Sequence, residues 1–204
     1  MIKTLALEPA LDQGGDLQVV AIHHQHVRVA ADADARQVDH LHLAAGAGDA
    51  LGEVDTVFAD LRPARILRAY VAEIDKVCPC AILFHSQAGQ FGFRAAQARP
   101  DKVKALIAVE PAGIGDPRQA AALKGIPVLM LYGDFIAQDA RWPQIRKNGI
   151  DFTEGIARAG GKVEVVDLPN VGIRGNSHML MMDRNNLEIA ALIQRWLEGQ
   201  GLYH

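Results

Sequence analysis

Cys80-Ala81-Ile82-Leu83-Phe84-His85-Ser86-Gln87-Ala88-Gly89 passes from an unbroken apolar run, Cys80–Phe84, through a polar turn into a helix-forming segment from about Gln87 to Ala98. A short apolar run of this kind suits a strand buried on both faces. The helix stops before Pro100, because proline disfavours helical geometry at the residue ahead of it. The same alternation repeats downstream. Val103–Val109, Pro127–Tyr132 and Lys162–Leu168 read as strands, the last with Val163, Val165 and Val166 inside it. Arg118–Lys124 reads as a short helix and Trp142–Ala159 as a long one, with Gly160-Gly161 as its stop. Arg184–Glu198 reads as a final amphipathic helix with Leu187, Ile189, Ala190, Leu192, Ile193, Trp196 and Leu197 on its core face. Upstream, Pro63 can start a helix whose apolar face is Ile66, Leu67, Tyr70, Val71 and Ile74. Four apolar strands alternating with helices predict an α/β fold with a parallel sheet covered on both faces. Such sheets place ligands beyond the carboxyl ends of their strands. The residues found there are Ser86, Glu110, Asp134 and His178.

Composition narrows the function classes. The chain has 204 residues, half of them apolar and 22% charged, with a net charge of −3. That apolar content excludes a disordered chain, and the acidic balance argues against a broadly basic nucleic-acid binder. No apolar run approaches the roughly 20 residues of a membrane-spanning helix. The N-terminus soon carries Glu8, Asp12 and Asp16 and does not read as a signal peptide. With only Cys78 and Cys80 a disulfide-built scaffold is excluded, and a cytoplasmic setting is the default. Cys78-x-Cys80 is not the redox C-x-x-C spacing, and Cys80 is expected in the core.

Residues 1–61 differ from residues 62–204. They are rich in Ala, Asp, Val, Gln and His and contain one aromatic, Phe58. Leu17–Val29 could form two short β-branched strands, and Ala30–Ala50 has no clear period. The histidines His23, His24, His26, His40 and His42 raise an alternative function, a Zn²⁺-binding module. Short histidine tracts are unspecific, and Asp32, Asp34 and Asp39 fit no ligand spacing, so the expectation is no metal and no cofactor.

Ser86 sits where a nucleophile elbow would, at a strand-to-helix turn whose helix N-terminus faces developing negative charge. The usual pattern, G-x-S-x-G, keeps the flanks small. Here Ala88 fits and Phe84 does not. The bland alternative is a serine N-cap on an ordinary helix. A serine hydroxyl needs a base, and the base needs an orienting carboxylate. His178, in a Gly- and Asn-rich loop before the last helix, is the candidate base. His85 is its rival, but it adjoins Ser86, and neighbouring side chains on a strand diverge, which favours a packing role. Glu110 and Asp134 both end strands, and residue chemistry alone does not choose between them as the acid.

His85-Ser86-Gln87, Val109-Glu110-Pro111, Tyr132-Gly133-Asp134 and Gly175-Asn176-Ser177-His178-Met179 followed by Asp183-Arg184-Asn185-Asn186 resemble the C-terminal half of a bacterial esterase subfamily of α/β-hydrolases. The likeness covers roughly residues 65–199, and its most specific part is the Gly-Asn-Ser-His block with Asp-Arg-Asn-Asn. The resemblance implies a serine esterase with Ser86 as nucleophile, His178 as general base and Glu110 as orienting acid. It demotes Asp134 to a structural position. It also implies that the backbone N–H of Gln87 is one oxyanion donor and that an acyl-enzyme forms on Ser86.

The second oxyanion donor should come from a loop after an early strand. Residues 1–60 show no such loop and too few strands for a complete fold of this type. Their bias is that of a GC-rich gene read in a wrong frame, so the expectation is an α/β-hydrolase fold incomplete at its N-terminus, joined to a non-homologous segment. A catalytically impaired remnant is the alternative to an active esterase. The expected partner is a small-molecule ester, without nucleic acid or membrane and with self-association open. A family signal peptide could have been lost with the N-terminus. Trp142, Phe135 and Met179–Met182 are candidates for an acyl pocket, or for core and rim.

Overall fold

A computed structural model describes residues 18–22 and 51–202. Among the described residues, five strands, β1 (Gln18–Ile22), β2 (Cys80–His85), β3 (Val103–Val109), β4 (Val128–Tyr132) and β5 (Val163–Asp167), form one sheet in sequential order. Every neighbouring pair is parallel. The helices are α1 (Leu51–Val77), α2 (Ala88–Ala98), α3 (Trp142–Arg158) and α4 (Asn186–Gly199). Parallel strands require crossovers, and α1, α2 and α3 lie between successive strands in the chain.

The two-residue period of the strands sorts the core into two layers. Ile82, Phe84, Leu106, Ala108, Val128, Met130 and Tyr132 face one side, with Tyr70 and Ile74 of α1, Phe91 and Phe93 of α2, and Phe152 and Ile156 of α3. Ala81, Ala105, Ile107, Val109, Leu129 and Leu131 face the other, with Ile189, Ile193, Trp196 and Leu197 of α4. β3 and β4 are covered on both faces, which is why they read as continuous apolar runs. Among the described residues β5 is the outermost strand on its side, and it keeps Glu164 and Val165 exposed. Val165 lies inside the strand as read from the sequence, and its exposure follows from the position of β5 at the sheet edge.

The structure corrects three local expectations and adds a disulfide. Pro63 does not start α1 but lies inside it, and the helix runs back to Leu51 across the compositional boundary at 61/62. The short helix after β3 is a 3₁₀ turn, Pro117–Leu123, opened by Asp116, whose side chain accepts from the N–H of Arg118. Leu187, expected on the core face of α4, is 78% exposed because it lies in the first turn, before the helix meets the sheet layer. Cys78 and Cys80 are joined by a disulfide, their Cα atoms 4.4 Å apart across Pro79, a separation within the range that a disulfide bridges. Cys80 is buried as expected. Of the two strands read in 17–29, β1 is described. The remainder of that stretch and the histidines at 23, 24, 26, 40 and 42 lie outside the described residues.

Candidate active site

Ser86 follows β2 directly and has φ = +53°, in the left-handed region that serine seldom occupies. Glu110 follows β3 directly and has φ = +40°. These are the only non-glycine residues with positive φ among the described residues. Two such turns at neighbouring strand ends are costly, each on the order of 1–3 kcal/mol, and persist when their surroundings fix them.

The fixing bonds are visible. The N–H of Ser86 donates to the carbonyl of Val109 (3.1 Å), and the N–H of Ala112 donates to the carbonyl of Ser86 (2.8 Å). The two turns therefore hold each other. The loop after Glu110 also packs against the first turn of α2. A Cβ on Gly89 would come within 2.6 Å of the Gly113 carbonyl and 2.7 Å of Pro111 Cβ. The N–H of Glu110 donates to Leu131 O (2.9 Å), tying the Glu110 backbone to β4.

Phe84 stands where the elbow pattern wants a small residue, and Gly92 compensates. A Cβ on Gly92 would overlap the Phe84 ring. One turn into α2, the missing side chain gives back the space that Phe84 takes.

His178 brings the site together. Its Nδ1 lies 2.6 Å from Glu110 Oε2 and its Nε2 lies 2.8 Å from Ser86 Oγ. An ionised carboxylate only accepts, so Nδ1 carries the proton and Nε2 is left to accept from the serine hydroxyl. Glu110 is 1% exposed. Its second oxygen is not stranded, because the N–H of Gly133 donates to Oε1 (2.8 Å). Ser86 is half-buried and the His178 side chain 34% exposed, so the serine–imidazole end of the line meets solvent.

Two rings pack against the imidazole of His178, both tilted relative to it. The His85 ring lies 4.5 Å from it and the Trp142 ring 4.6 Å, centroid to centroid. His85, almost fully buried, is the rival base of the sequence reading. Its Nε2 lies 2.7 Å from the carbonyl oxygen of His178, so it donates there and supports the loop. Asp134, the rival acid, turns to the same loop. Its two oxygens accept from the N–H of Asn176 and of Gly175, both at 2.8 Å. Burial opposes its ionisation. The backbone N–H groups of Gly175, Asn176 and Asp134 itself, with Arg174 nearby, more than offset that and hold the carboxyl below its ordinary range.

Gln87 follows Ser86, is exposed, and precedes the first turn of α2, so its backbone N–H sits at the positive end of that helix. The Trp142 ring packs against the His178 imidazole, and Phe135, at 44% exposure, sits on the surface beside Asp134. Among the described residues no three His, Cys, Asp or Glu side chains assemble as a metal site, and no helix is long and apolar enough to cross a membrane. Sequence reading missed Gly92 and the positive φ of Glu110. The signal for Gly92 was the oversized Phe84, which demanded a gap somewhere along α2.

No family model matches the chain. A probable secreted lipase from a fungal species (strain ATCC 74256) is 29% identical over 181 residues, covering 65% of this chain and 50% of that protein. The solved structure of a bacterial esterase superposes with a TM-score of 0.59 at 37% identity, covering 64% of this chain and 41% of the esterase. The chain thus spans about half the length of the lipase and less of the esterase. Its parallel sheet flanked by helices, together with the likeness to that esterase, gives the chain an α/β-hydrolase fold.

Proposed function

We propose that the chain is a serine-type carboxylic ester hydrolase. The observation that carries the reading is the unbroken hydrogen-bonded line from Ser86 Oγ through His178 to Glu110, 2.8 Å and 2.6 Å long. Ser86 attacks the ester carbonyl while His178 Nε2 takes its proton, and Glu110 stabilises the imidazolium without leaving its place. The N–H of Gln87 donates to the oxyanion. His178 returns the proton to the departing alcohol. Water, activated by the same imidazole, then releases the acid from the serine ester.

The likeness to a lipase and an esterase supports the substrate class, small-molecule carboxylic esters. For location, the name of the fungal relative and the Cys78–Cys80 disulfide both favour an oxidising compartment over the cytoplasm.

The test is hydrolysis of p-nitrophenyl acetate by the chain and by Ser86→Ala. The expected loss in the variant is at least about 10³-fold in kcat. Equal rates would end the assignment of Ser86. A second reading is an impaired remnant in which the Gln87 N–H is the single oxyanion donor, since no second donor is assigned among the described residues. Loss of one oxyanion donor typically costs about 10²–10³ in turnover. A fluorophosphonate separates the two readings, since rapid labelling of Ser86 with negligible ester turnover favours the remnant.

A further inference from the structure

Within the block Asp183-Arg184-Asn185-Asn186, the side chains of Asp183 and Asn185 reach the loop that carries His178, and that of Asn186 reaches the 3₁₀ turn after it. Asn185 Nδ2 donates to the carbonyl of Arg174 (3.0 Å), and its Oδ1 accepts from Asn176 Nδ2 (2.8 Å). Asn186 Nδ2 donates to Met181 O (3.1 Å). Asp183 is tied closest to the base. Its Oδ2 accepts from the N–H of Ser177 (2.7 Å) and its Oδ1 from the Ser177 hydroxyl (2.8 Å). The Ser177 oxygen in turn accepts from the N–H of Met179 (3.1 Å).

We propose that Asp183, acting through Ser177, is the positioning residue of the general base, an inference that rests on the triad assignment above. The loop from Ile173 to Met179 has no repeating backbone ladder of its own. Yet His178 must meet two partners on opposite sides of one ring, so a small shift of its backbone breaks one bond or the other. Asp134 fixes the approach by taking the N–H groups of residues 175 and 176. Asp183 and Ser177 fix the two residues that flank His178. One carboxylate and one hydroxyl, passing a single chain of bonds, span the base from residue 177 to residue 179. His85 takes the carbonyl of His178 itself. The geometry accounts for an aspartate five positions after the histidine, because the 3₁₀ turn Leu180–Met182 brings the chain back under Ser177.

The bond pattern makes graded predictions. Asp183→Ala removes both acceptors. Ser177→Ala keeps the N–H bond to Asp183 and cuts the link to Met179. Asp183→Asn is the conservative case. Its Oδ1 can accept from the Ser177 N–H while its Nδ2 donates to the Ser177 oxygen, which still receives Met179.

The experiment uses the full chain with ¹⁵N-labelled histidine and follows the downfield Nδ1–H resonance of His178, which reports the bond to Glu110 without needing turnover. Ser86→Ala serves as the reference that leaves this bond in place. The resonance is expected to be lost in Asp183→Ala, weakened in Ser177→Ala and restored in Asp183→Asn. With p-nitrophenyl acetate, kcat falls by about 10²-fold in Asp183→Ala while KM stays within about twofold, as for a misplaced catalytic group. If Asp183→Ala does not fold, Ser177→Ala carries the test. An unchanged resonance in Asp183→Ala, or in Ser177→Ala where that variant stands in, would overturn the proposal. So would a raised KM at constant kcat. Failure of the esterase reading itself would show separately, as turnover that survives Ser86→Ala.

Discussion

Glu110 shows how much the site asks of one residue. It closes an apolar strand, adopts φ = +40°, is 1% exposed, and uses both carboxylate oxygens, one on His178 and one on the Gly133 N–H. An amide has a single acceptor, so Glu110→Gln faces a conflict. If its oxygen stays on Gly133, its NH₂ points at His178 Nδ1 and forces the proton onto Nε2, where it opposes the serine hydroxyl. The wrong tautomer costs about 10⁴ in kcat where a triad carboxylate has been replaced by its amide. We expect a loss of that order in ester hydrolysis with the thermal midpoint nearly unchanged, and a loss below about tenfold would contradict the role given to Glu110. Ser86 and His178 were legible as strand-end and loop residues with the right chemistry. The choice between Glu110 and Asp134 was not legible from residue chemistry, because both end apolar strands. What separates them is where each carboxylate points. Glu110 reaches the imidazole, and Asp134 reaches two loop amides.

At the scale of elements, β2 and α2 meet in a turn that tolerates Phe84 only because α2 has no side chain at Gly92. Two effects compete in Gly92→Ala. Alanine gains about 1 kcal/mol in helix propensity. Overpacking against the buried Phe84 ring costs typically 1–3 kcal/mol. The overlap is with a ring fixed between Phe93 and the sheet, so the packing cost should win. We expect a net destabilisation of about 1–2 kcal/mol in urea unfolding. Phe84→Ala alone costs about 3–5 kcal/mol. Gly92→Ala added to it should be neutral or stabilising, a coupling of about 1–3 kcal/mol. Additive effects would mean that the two residues do not share space. The same comparison explains which elements were readable. Strands β2, β3 and β4 announce themselves because both faces are buried. The start of α1 did not, since Pro63 imitates a first-turn proline although the helix passes through it. The disulfide was missed because a two-residue spacing says nothing of pairing until the chain turns at Pro79.

For the molecule as a whole, carboxylates bind distant segments and make the fold acid-sensitive in a definite window. Asp75 at the end of α1 accepts from Arg99 and Lys102, which join the segment between α2 and β3 to that helix. Those two hydrogen bonds pull its pKa down from 3.8 to about 2. Asp134, bound to the His178 loop, is also held below 3.8. A group whose folded pKa is depressed gives stability that is complete above its unfolded pKa and is lost as pH falls through the folded value. The window is therefore below about pH 4 for both. Asp75→Asn and Asp134→Asn should each flatten the fall of the urea midpoint between about pH 4 and pH 2. Curves parallel to that of the parent chain would refute the linkage. Salt tells the two apart. Asp75 pairs with charged, partly exposed side chains, and at about 1 M salt the screening length falls to roughly 3 Å, so its share of the acid sensitivity should shrink. Asp134 is held chiefly by backbone N–H groups without net charge, and its share should survive the same salt. If high salt removed both contributions equally, the His178 loop would be held by long-range charge and not by the amide bonds seen at Gly175 and Asn176.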